Sequence, residues 1–530
     1  MSSRLNLESV NKKYVIFIAA IVSLGGFLFG FDAAVISGCN SFITAQFNLT
    51  SLELGTVVAS VTISSALAML FAGTIADRFG RKNVLIVVAL LYSISAILSA
   101  LAPSYTALII ARLIGGIAFG AALVLVPVYI AELVPARMRG SMVSVQQLAI
   151  VLGFSVAYFS NYYLLKLSRS GSEFALENNL ATDIWRWMLG LEAIPAVLYF
   201  LFLFFIPRSP RWLKMKGRSD EANTIINKVN GPTSAAAISA EIDDNIRQSL
   251  KEKKLTLKES FNNLFNTRYR KIMVVAFIIG IAQMSVGINA VFFYATNIFE
   301  ATGIGTDASF VQAIWVGIIN VVFTIVAMIL IDRIGRRPLL LAGLIGITMS
   351  LCLVAFGFSQ ATYKLSAEKI ASLDIPVDKS KLRALTDKDY DSDVAFGNAI
   401  VKALGPQEAS LYKGEIVKAA GNLNAILILI GILGFVACFA FSLGPVMWVL
   451  LSEIFPNTIR GIAISVVGFV NSLTSYFVVQ FFPWQLENFG SASTFLIYAA
   501  FAVIALGLLY KLLPETKGKS LEEIEKQLAI

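Results

Sequence analysis

Twelve apolar stretches, each about twenty residues or longer, dominate this 530-residue chain. About twenty apolar residues suffice for a helix to cross the hydrocarbon core of a bilayer. Only 15% of the residues are charged, which is too few to cover a soluble protein of this size. We therefore predict an all-α membrane protein with twelve transmembrane helices. Their expected bounds are 14–38, 54–77, 83–102, 107–133, 141–165, 187–206, 272–300, 308–332, 338–360, 423–452, 460–482 and 491–513.

The twelve segments form two groups of six. The expected divisions are an N-terminus at 1–13, a first six-helix bundle at 14–206, a helical linker at 207–271, a second bundle at 272–513 and a tail at 514–530. A segment with equal numbers of acidic and basic residues, 361–422, interrupts the second bundle between helices 9 and 10. We expect this insertion to be a solvated segment on the outer side of the membrane.

Basic residues in the short loops predict the orientation, because cytoplasmic loops carry an excess of Lys and Arg. With both termini cytoplasmic, the short outer loops hold only Lys166 and Arg169. The short inner loops hold Arg78, Arg81, Lys82, Arg137, Arg139, Arg333, Arg336, Arg337 and Arg460. The chain is therefore expected in the inner or plasma membrane of a cell, with the termini, linker and tail in the cytoplasm. Its net charge of +9 then reflects topology and not nucleic-acid binding.

Two motifs occur once in each group of six helices. Asp77-Arg-Phe-Gly-Arg-Lys82 returns as Asp332-Arg-Ile-Gly-Arg-Arg337, and Glu132-Leu-Val-Pro135 returns as Glu453-Ile-Phe-Pro456. The second offset exceeds the first by about the length of the insertion at 361–422. A duplicated six-helix unit with one later insertion accounts for both offsets. Parallel repeats with the substrate site between the two halves are a known plan for transporters.

The residue types also exclude several classes of function. The chain has no histidine, and its three cysteines, Cys39, Cys352 and Cys438, show no metal-ligand spacing. No pair of nucleophile and base and no phosphate-binding loop is evident. An enzyme is therefore the least expected class, and we expect neither a metal nor a bound cofactor.

Three charged residues interrupt the apolar segments of the first half: Asp32, Arg112 and Glu192. A charge within the hydrocarbon costs several kcal/mol, so such residues are functional candidates. Counted from the predicted helix ends, all three lie at a similar depth, less than ~10 Å below the outer face. Two acids and one base become neutral when one proton binds, which suits a proton-coupling site. The alternative is a static salt bridge that only holds helices together.

Amides in membrane-spanning segments suit a substrate that carries hydroxyl groups, because an amide both donates and accepts hydrogen bonds without carrying charge. The alternative for each amide is an interhelical hydrogen bond, worth less than ~2 kcal/mol. The amides are Gln146, Gln147, Gln283, Asn289, Asn320, Asn471 and Gln480.

Six motifs, in order along nearly the whole chain outside the insertion, resemble those of the sugar porter family of the major facilitator superfamily, and most of all its bacterial xylose–proton symporters. They are Gly73-Thr-Ile-Ala-Asp-Arg-Phe-Gly-Arg-Lys82, Pro127-Val-Tyr-Ile-Ala-Glu-Leu-Val-Pro135, Pro207-Arg-Ser-Pro-Arg-Trp-Leu213, Gln283-Met-Ser-Val-Gly-Ile-Asn289, Gly444-Pro-Val-Met-Trp448 and Pro514-Glu-Thr-Lys-Gly518. The resemblance implies the major facilitator fold, two pseudo-symmetric six-helix bundles.

The resemblance also implies roles. Asp32 matches the proton carrier of the symporters, Arg112 its arginine partner, and Glu192 the acid of helix 6. The proton is then the coupling ion, and a monosaccharide such as xylose, glucose or galactose is the substrate. The positions that match sugar contacts are Gln147, Gln283, Asn289, Asn320, Trp448 and Asn471. Trp448 follows Gly444-Pro445, where a helix can bend toward a pocket, although it could also be a packing residue.

Ten charged residues at matched cytoplasmic positions of the two halves are expected to form a gate, an ion-pair network across the halves that exists only while the inner side is closed. They are Asp77, Arg78, Arg81, Glu132, Arg139, Asp332, Arg333, Arg336, Glu453 and Arg460. The arginines also serve to set the topology.

Four positions depart from the family pattern. Arg208 replaces an acid, so one gate contact of the first half is expected to be missing. Met284 replaces a second glutamine, Ser472 a tryptophan, and Phe154 the glutamine of the xylose symporter. The pocket is thus less polar in two places and roomier in one, and a hexose fits the pattern as well as xylose.

A proton–sugar symporter working by alternating access is therefore the leading hypothesis, with the chain acting as a monomer. A passive sugar uniporter is the alternative. A sugar sensor that signals without transport is a further alternative. It would require a cytoplasmic signalling extension, and only seventeen residues follow Leu513, so it is less expected.

Overall fold

The computed structural model describes residues 10–251, 264, 269–455, 459–517 and 523. Eleven helical segments of this part are long and apolar enough to cross a membrane. The last, Arg460–Leu512, changes direction at Gly490, where φ is 79°, so it supplies two spans. The structure thus contains the twelve predicted spans.

The first half contains eight helices, of which α7 and α8 together form the sixth span. They are α1 Lys12–Phe47, α2 Ser51–Phe79, α3 Arg81–Ala100, α4 Tyr105–Leu133, α5 Ala136–Ser168, α6 Glu173–Glu177, α7 Leu180–Leu191 and α8 Ala193–Phe202. Three shorter helices form the part of the linker that the structure describes: α9 Pro210–Met215, α10 Ser219–Asn230 and α11 Pro232–Lys251.

The second half begins with a broken span, α12 Arg270–Ser285, α13 Ile288–Phe293 and α14 Ala295–Glu300. Gly287 makes the first break possible, because its φ of 88° is a conformation that side chains disfavour. Two continuous spans follow, α15 Thr306–Ile334 and α16 Arg336–Ser359.

The insertion is a folded subdomain, which we call the cap (residues 361–422). Its elements are β1 Thr362–Lys364, α17 Ala367–Ser372, α18 Lys379–Leu382, β2 Asp389–Tyr390, α19 Asp393–Leu404, α20 Pro406–Ala420 and β3 Gly421–Asn422. The antiparallel sheet has the order β2-β1-β3, with Tyr363 opposite Tyr390. The cap has its own apolar core, in which Tyr363 stacks on Phe396 with ring centroids 5.1 Å apart. The sequence predicted a solvated segment and no fold for it, and the structure adds that its apolar residues bury one another.

Beyond the cap, the tenth span is also broken. Its pieces α21 Ala425–Phe441 and α22 Leu443–Ile454 meet at Ser442, whose φ of −125° and ψ of −94° are not helical. The break therefore comes two residues before the Gly444 that suggested it in the sequence. The last helix, α23 Arg460–Leu512, contains the kink at Gly490.

Both chain ends that the structure describes lie on one side of the molecule, which we call the terminal face, and the cap lies on the other, the cap face. The N-terminal residue Asn11 bonds to the linker through Val229, and Arg337 at the start of α16 reaches Tyr510 near the end of α23. The two halves pack closely along α2 and α23, where a Cβ added to Gly55 would lie 2.0 Å from the carbonyl oxygen of Gln480.

The predicted helix ends misplaced the buried charges. Helix α1 continues nine residues beyond the expected end at 38, so Asp32 lies fifteen residues, ~22 Å, from its last residue. Arg112 lies seven residues after the start of α4, and Glu192 twelve after the start of α7. The longer α1 persists because its last polar residues, among them Asn40 and Ser41, bond to other helices instead of to water.

Candidate functional site

The three buried charges meet in the interior of the first half. The Arg112 guanidinium donates a hydrogen bond to Asp32 and forms a salt bridge with it. Glu192, at the junction of α7 and α8, lies beside the Asp32 carboxyl. All three residues are buried. The three residues therefore lie at a similar depth, as predicted, because α1, α4 and the α7–α8 junction converge, but the distance to the helix ends is larger than the predicted bounds gave.

This geometry gives the cluster a place for one proton. Two carboxyl groups share a hydrogen bond only when one of them is protonated and donates. With one proton shared by Asp32 and Glu192, the remaining negative charge is matched by Arg112. The Nε atom of Arg112 is buried without a hydrogen-bond partner among the described residues. The guanidinium is therefore not locked on every side, as a purely structural bridge would be.

A group of amides lies in the second half, around the break in the tenth span. Gln283 Nε2 donates to the carbonyls of Leu443 (3.0 Å) and Gly444 (3.1 Å), just beyond the break. Asn471 Nδ2 donates to Gln283 Oε1 at 2.9 Å and to the Gly280 carbonyl at 2.8 Å. The amide groups of Gln283 and Asn471 are thus occupied by hydrogen bonds between helices in this conformation. Their side chains lie next to the break in the tenth span.

The other predicted sugar positions are distributed around this group. Asn289 donates to Ser475 Oγ at 2.7 Å, which links α13 to α23. Trp448 is partly exposed and faces Gly468, whose added Cβ would lie 3.7 Å from the ring. Asn320 is buried and Gln147 is half-buried. In the part of the chain that the structure describes, neither Gln147 nor Asn320 hydrogen-bonds to the side chains of Gln283 and Asn471.

Two of the four departures from the family pattern, Phe154 and Ser472, lie at contacts between the two halves. Phe154 of α5 packs on Phe292 of α13 with ring centroids 4.6 Å apart. Ser472 Oγ lies 3.6 Å from the Met69 sulfur across the halves. Gln480 also joins the halves, since its Nε2 donates to the Leu52 carbonyl at 3.0 Å. For Gln480 the structure therefore favours the interhelical hydrogen bond over a sugar contact.

Polar contacts between the halves close the cap face. Tyr158 of α5 donates to the Phe292 carbonyl at 2.6 Å. Asn40 of α1 donates to the Phe293 carbonyl at 2.9 Å. The hydroxyls of Ser37 and Thr296 lie 3.2 Å apart. The sequence reasoning missed these residues, although Asn40 and Ser41 are polar residues near the end of an apolar run.

On the terminal face, the ion pairs of the first half stay within that half. Arg81 pairs with Asp77 at 2.7 Å and with Glu132 at 2.9 Å. Ser209 Oγ donates to Glu132 at 2.6 Å. Arg208, which stands in place of the family's acid, forms no ion pair among the described residues. The retained Ser209 of the same motif still contacts Glu132.

The second half repeats this arrangement. Arg336 pairs with Glu453 at 2.8 Å, and Thr516 Oγ1 donates to Glu453 at 2.6 Å. Glu515 accepts the backbone N–H groups of Arg336 at 3.1 Å and Arg337 at 3.0 Å. Burial tends to raise the pKa of Glu515, but these backbone donors and those of Thr516 and Lys517 outweigh burial and hold the pKa below its usual value.

The described ion pairs of these motifs each join residues of one half, so none of them belongs to the predicted network across the halves, which stays a prediction. Arg78, Arg333 and Arg460 form no described ion pair, and the Arg460 Nε donates to the Phe455 carbonyl at 3.0 Å. The side chains of Arg139 and Asp332 lie outside the described part.

Two six-helix repeats, discontinuous helices at their interface and buried charges define a membrane transporter of the major facilitator type. The sequence profile of the sugar (and other) transporter family matches residues 18–375 and 401–528. The chain belongs to this family, which confirms the resemblance seen in its motifs.

Individual relatives and solved structures agree with this assignment. The arabinose-proton symporter of Bacillus subtilis is 34% identical, over 97% of this chain and 95% of the relative. The D-xylose-proton symporter of Escherichia coli is also 34% identical, over 97% of this chain and 96% of the relative. The inward open conformation of the xylose transporter XylE from E. coli superposes with a TM-score of 0.73 at 32% identity, covering 97% of this chain and 99% of that one.

Proposed function

We propose that this protein is a proton-coupled monosaccharide symporter that works by alternating access. The observation that carries the proposal is the buried cluster of Asp32, Glu192 and Arg112, in which two carboxyls are placed to share one proton beside one fixed positive charge. A passive carrier has no need of a buried acid that takes up a proton, which is the role proposed for Asp32. The 34% identity to two named sugar–proton symporters supports the same conclusion.

The orientation follows from the loop charges. We place the termini, linker and tail in the cytoplasm and the cap outside, in the cell membrane, so the conformation described here faces inward. Its likeness to the inward open xylose transporter supports that placement. We expect the protein to act as a monomer and to need no cofactor beyond the proton.

In this scheme the sugar and the proton have separate sites, and all but one of the sugar contacts lie in the second half. The sugar contacts Gln283, Asn289 and Asn471 in the second half, with Gln147, Asn320 and Trp448 completing the pocket. The proton binds at Asp32 in the first half. Coupling then requires both ligands to favour the same rearrangement of the two halves, because each ligand can shift the equilibrium only by its differential affinity for the two states.

The decisive experiment is uptake into proteoliposomes of labelled xylose, arabinose, glucose and galactose, with and without an inward proton gradient. A symporter accumulates one of these sugars above its outside concentration only when the gradient is present. Equilibration without accumulation under both conditions would establish the alternative, a passive uniporter. Transport of none of these sugars would contradict both.

A further inference from the structure

The cap contacts both halves of the transporter. Its helix α20 lies against the end of α1 in the first half and against α14 in the second. Ser410 Oγ donates to the carbonyl of Ser41 at 3.1 Å. One turn further along α20, Gly414 faces Glu300, and an added Cβ would lie 3.5 Å from the Glu300 side chain. The cap therefore covers the line along which the two halves meet.

The cap is fixed to the second half at several points. Both of its chain ends continue into helices of that half, α16 and α21. Asp393 Oδ2 accepts the backbone N–H of Ser491 at 2.8 Å, beside the kink of α23. Glu415 Oε1 accepts the backbone N–H of Thr306 at 3.3 Å. With its own apolar core in addition, the cap moves with the second half as one body.

Ser41 joins the cap to the closure beneath it. Its hydroxyl donates to Glu300 Oε2 at 3.2 Å and accepts from Asn297 Nδ2 at 3.2 Å. Its carbonyl accepts from Ser410 of the cap. A movement that separates α1 from α14 therefore breaks the bond to the cap together with the two bonds below it.

We propose that the cap is a lid for the cap face: it travels with the second half, bonds to α1 through Ser410 when that face is closed, and must release α1 each time the face opens. The inference rests on the alternating access of the proposed function. The cap would thus add a contact outside the spanning helices that helps to hold this face closed, beside the contacts made by Ser37, Asn40 and Tyr158.

Cross-linking tests the lid directly. In a chain whose three native cysteines are replaced by alanine, Ser41→Cys with Ser410→Cys ties the cap to the first half. Oxidation to the disulfide is expected to lower sugar uptake at least tenfold, and reduction is expected to restore it. The matched control is Asp393→Cys with Ser491→Cys, which ties the cap to its own half. Oxidation of that pair is expected to change uptake by less than twofold.

Two results would overturn the proposal. One is sugar uptake by the oxidised Ser41→Cys, Ser410→Cys variant at the same rate as by its reduced form. The other is failure of this pair to link under conditions that link the control pair, since the cap would then not rest on α1.

A second measurement needs no transport, so it separates failure of the lid from failure of the proposed sugar function. Ser37 is buried under the closed cap face, and Ser37→Cys reports its opening by reaction with a membrane-impermeant maleimide. Adding Ser410→Ala is expected to raise the labelling rate several-fold. Ser372→Ala, which affects a hydroxyl bonded within the cap itself, is the control. Equal rates with Ser410→Ala and with the control would contradict the lid.

Discussion

Arg112 and Asp32 form a salt bridge in the interior of the first half, although eighty residues separate them in the chain. Such a pair is not an efficient means of stabilising a fold, because removing two charges from water costs several kcal/mol that their attraction barely offsets. Its persistence beside a second acid, Glu192, is easier to explain by a change of protonation during the transport cycle.

Replacing Asp32 by Asn tests this directly. The amide keeps the size of the side chain but cannot take up a proton, so Asp32→Asn is expected to abolish uphill accumulation of sugar while leaving exchange of labelled sugar within about threefold of the wild type. Both are measured in proteoliposomes, with an inward proton gradient for the first and equal sugar on both sides for the second. Asp374→Asn, at an exposed position of the cap, is the matched control. Accumulation that survives in Asp32→Asn would refute proton coupling through this residue.

The hydrogen bond from Tyr158 to Phe292 is expected to favour closure of the cap face. Tyr158→Phe removes a buried bond that exists only while the halves are together, worth about 1 kcal/mol, or roughly a fivefold shift toward the open cap face. The shift is measured as faster maleimide labelling of a Ser37→Cys reporter. Tyr163→Phe, on the same helix and exposed, should have no effect. Labelling that is no faster in Tyr158→Phe than in this control would remove Tyr158 from the closure.

Gln283 and Asn471 are expected to bind sugar as a unit. Gln283→Leu and Asn471→Leu should each raise the Kd at least tenfold, a loss of ~1.4 kcal/mol or more. The double variant should lose less than the sum, because each amide holds the other in place. Sugar binding by calorimetry measures all three, with Gln360→Leu at an exposed helix end as the control. Additive losses would show that the two amides act separately.

Glu515 should make stability depend on pH. The pKa of Glu515 is lowered in the folded chain, so its carboxylate adds to the free energy of unfolding. This contribution is fully present above the unfolded pKa, near 4.3, and is lost as the pH falls through the folded pKa. Glu515→Gln is therefore expected to destabilise the protein at pH 7 by roughly 1 kcal/mol, because partial exposure to solvent screens its hydrogen bonds. The difference from the wild type should shrink below about pH 4.

Thermal melting in detergent at pH 7 and at pH 4 measures this difference. Glu177→Gln, at an exposed position of α6, is the control. A gap that stays constant or widens as the pH falls would show that Glu515 does not act through its charge.

Much of the architecture could be predicted because the bilayer imposes a length and a composition on every span. The twelve apolar segments, the two repeats and the family followed from that constraint and from the motifs. The cost of charge in hydrocarbon singled out Asp32, Arg112 and Glu192, and counting along the helices placed them at a similar depth, although their distance from the outer face was wrong. Counting from helix ends assumes that all helices end at the membrane surface, and α1 continues to Phe47 against the cap and the second half.

What the sequence could not provide were the contacts that depend on the conformation. Ser37, Asn40 and Tyr158 bond across the halves only while the cap face is closed, and nothing in their sequence spacing records that state. The fold of the cap was missed for another reason. Its apolar residues are spread among many charged ones, so only the packing of Tyr363 on Phe396 reveals a core. The roles of the sugar, proton and gate residues remain predictions that the variants above test.

The two bonds from Gln283 to the carbonyls of Leu443 and Gly444 have a consequence for how a ligand could act on the carrier. These two carbonyls open α22 and are also paired within that helix, so the amide of Gln283 is a second donor that ties them to α12. A hydroxyl that took over the amide would remove this tie, and α22 could then turn at Ser442 relative to α12. Binding of a ligand and the angle of that span would then depend on the same amide group, so no other residue is needed to couple them.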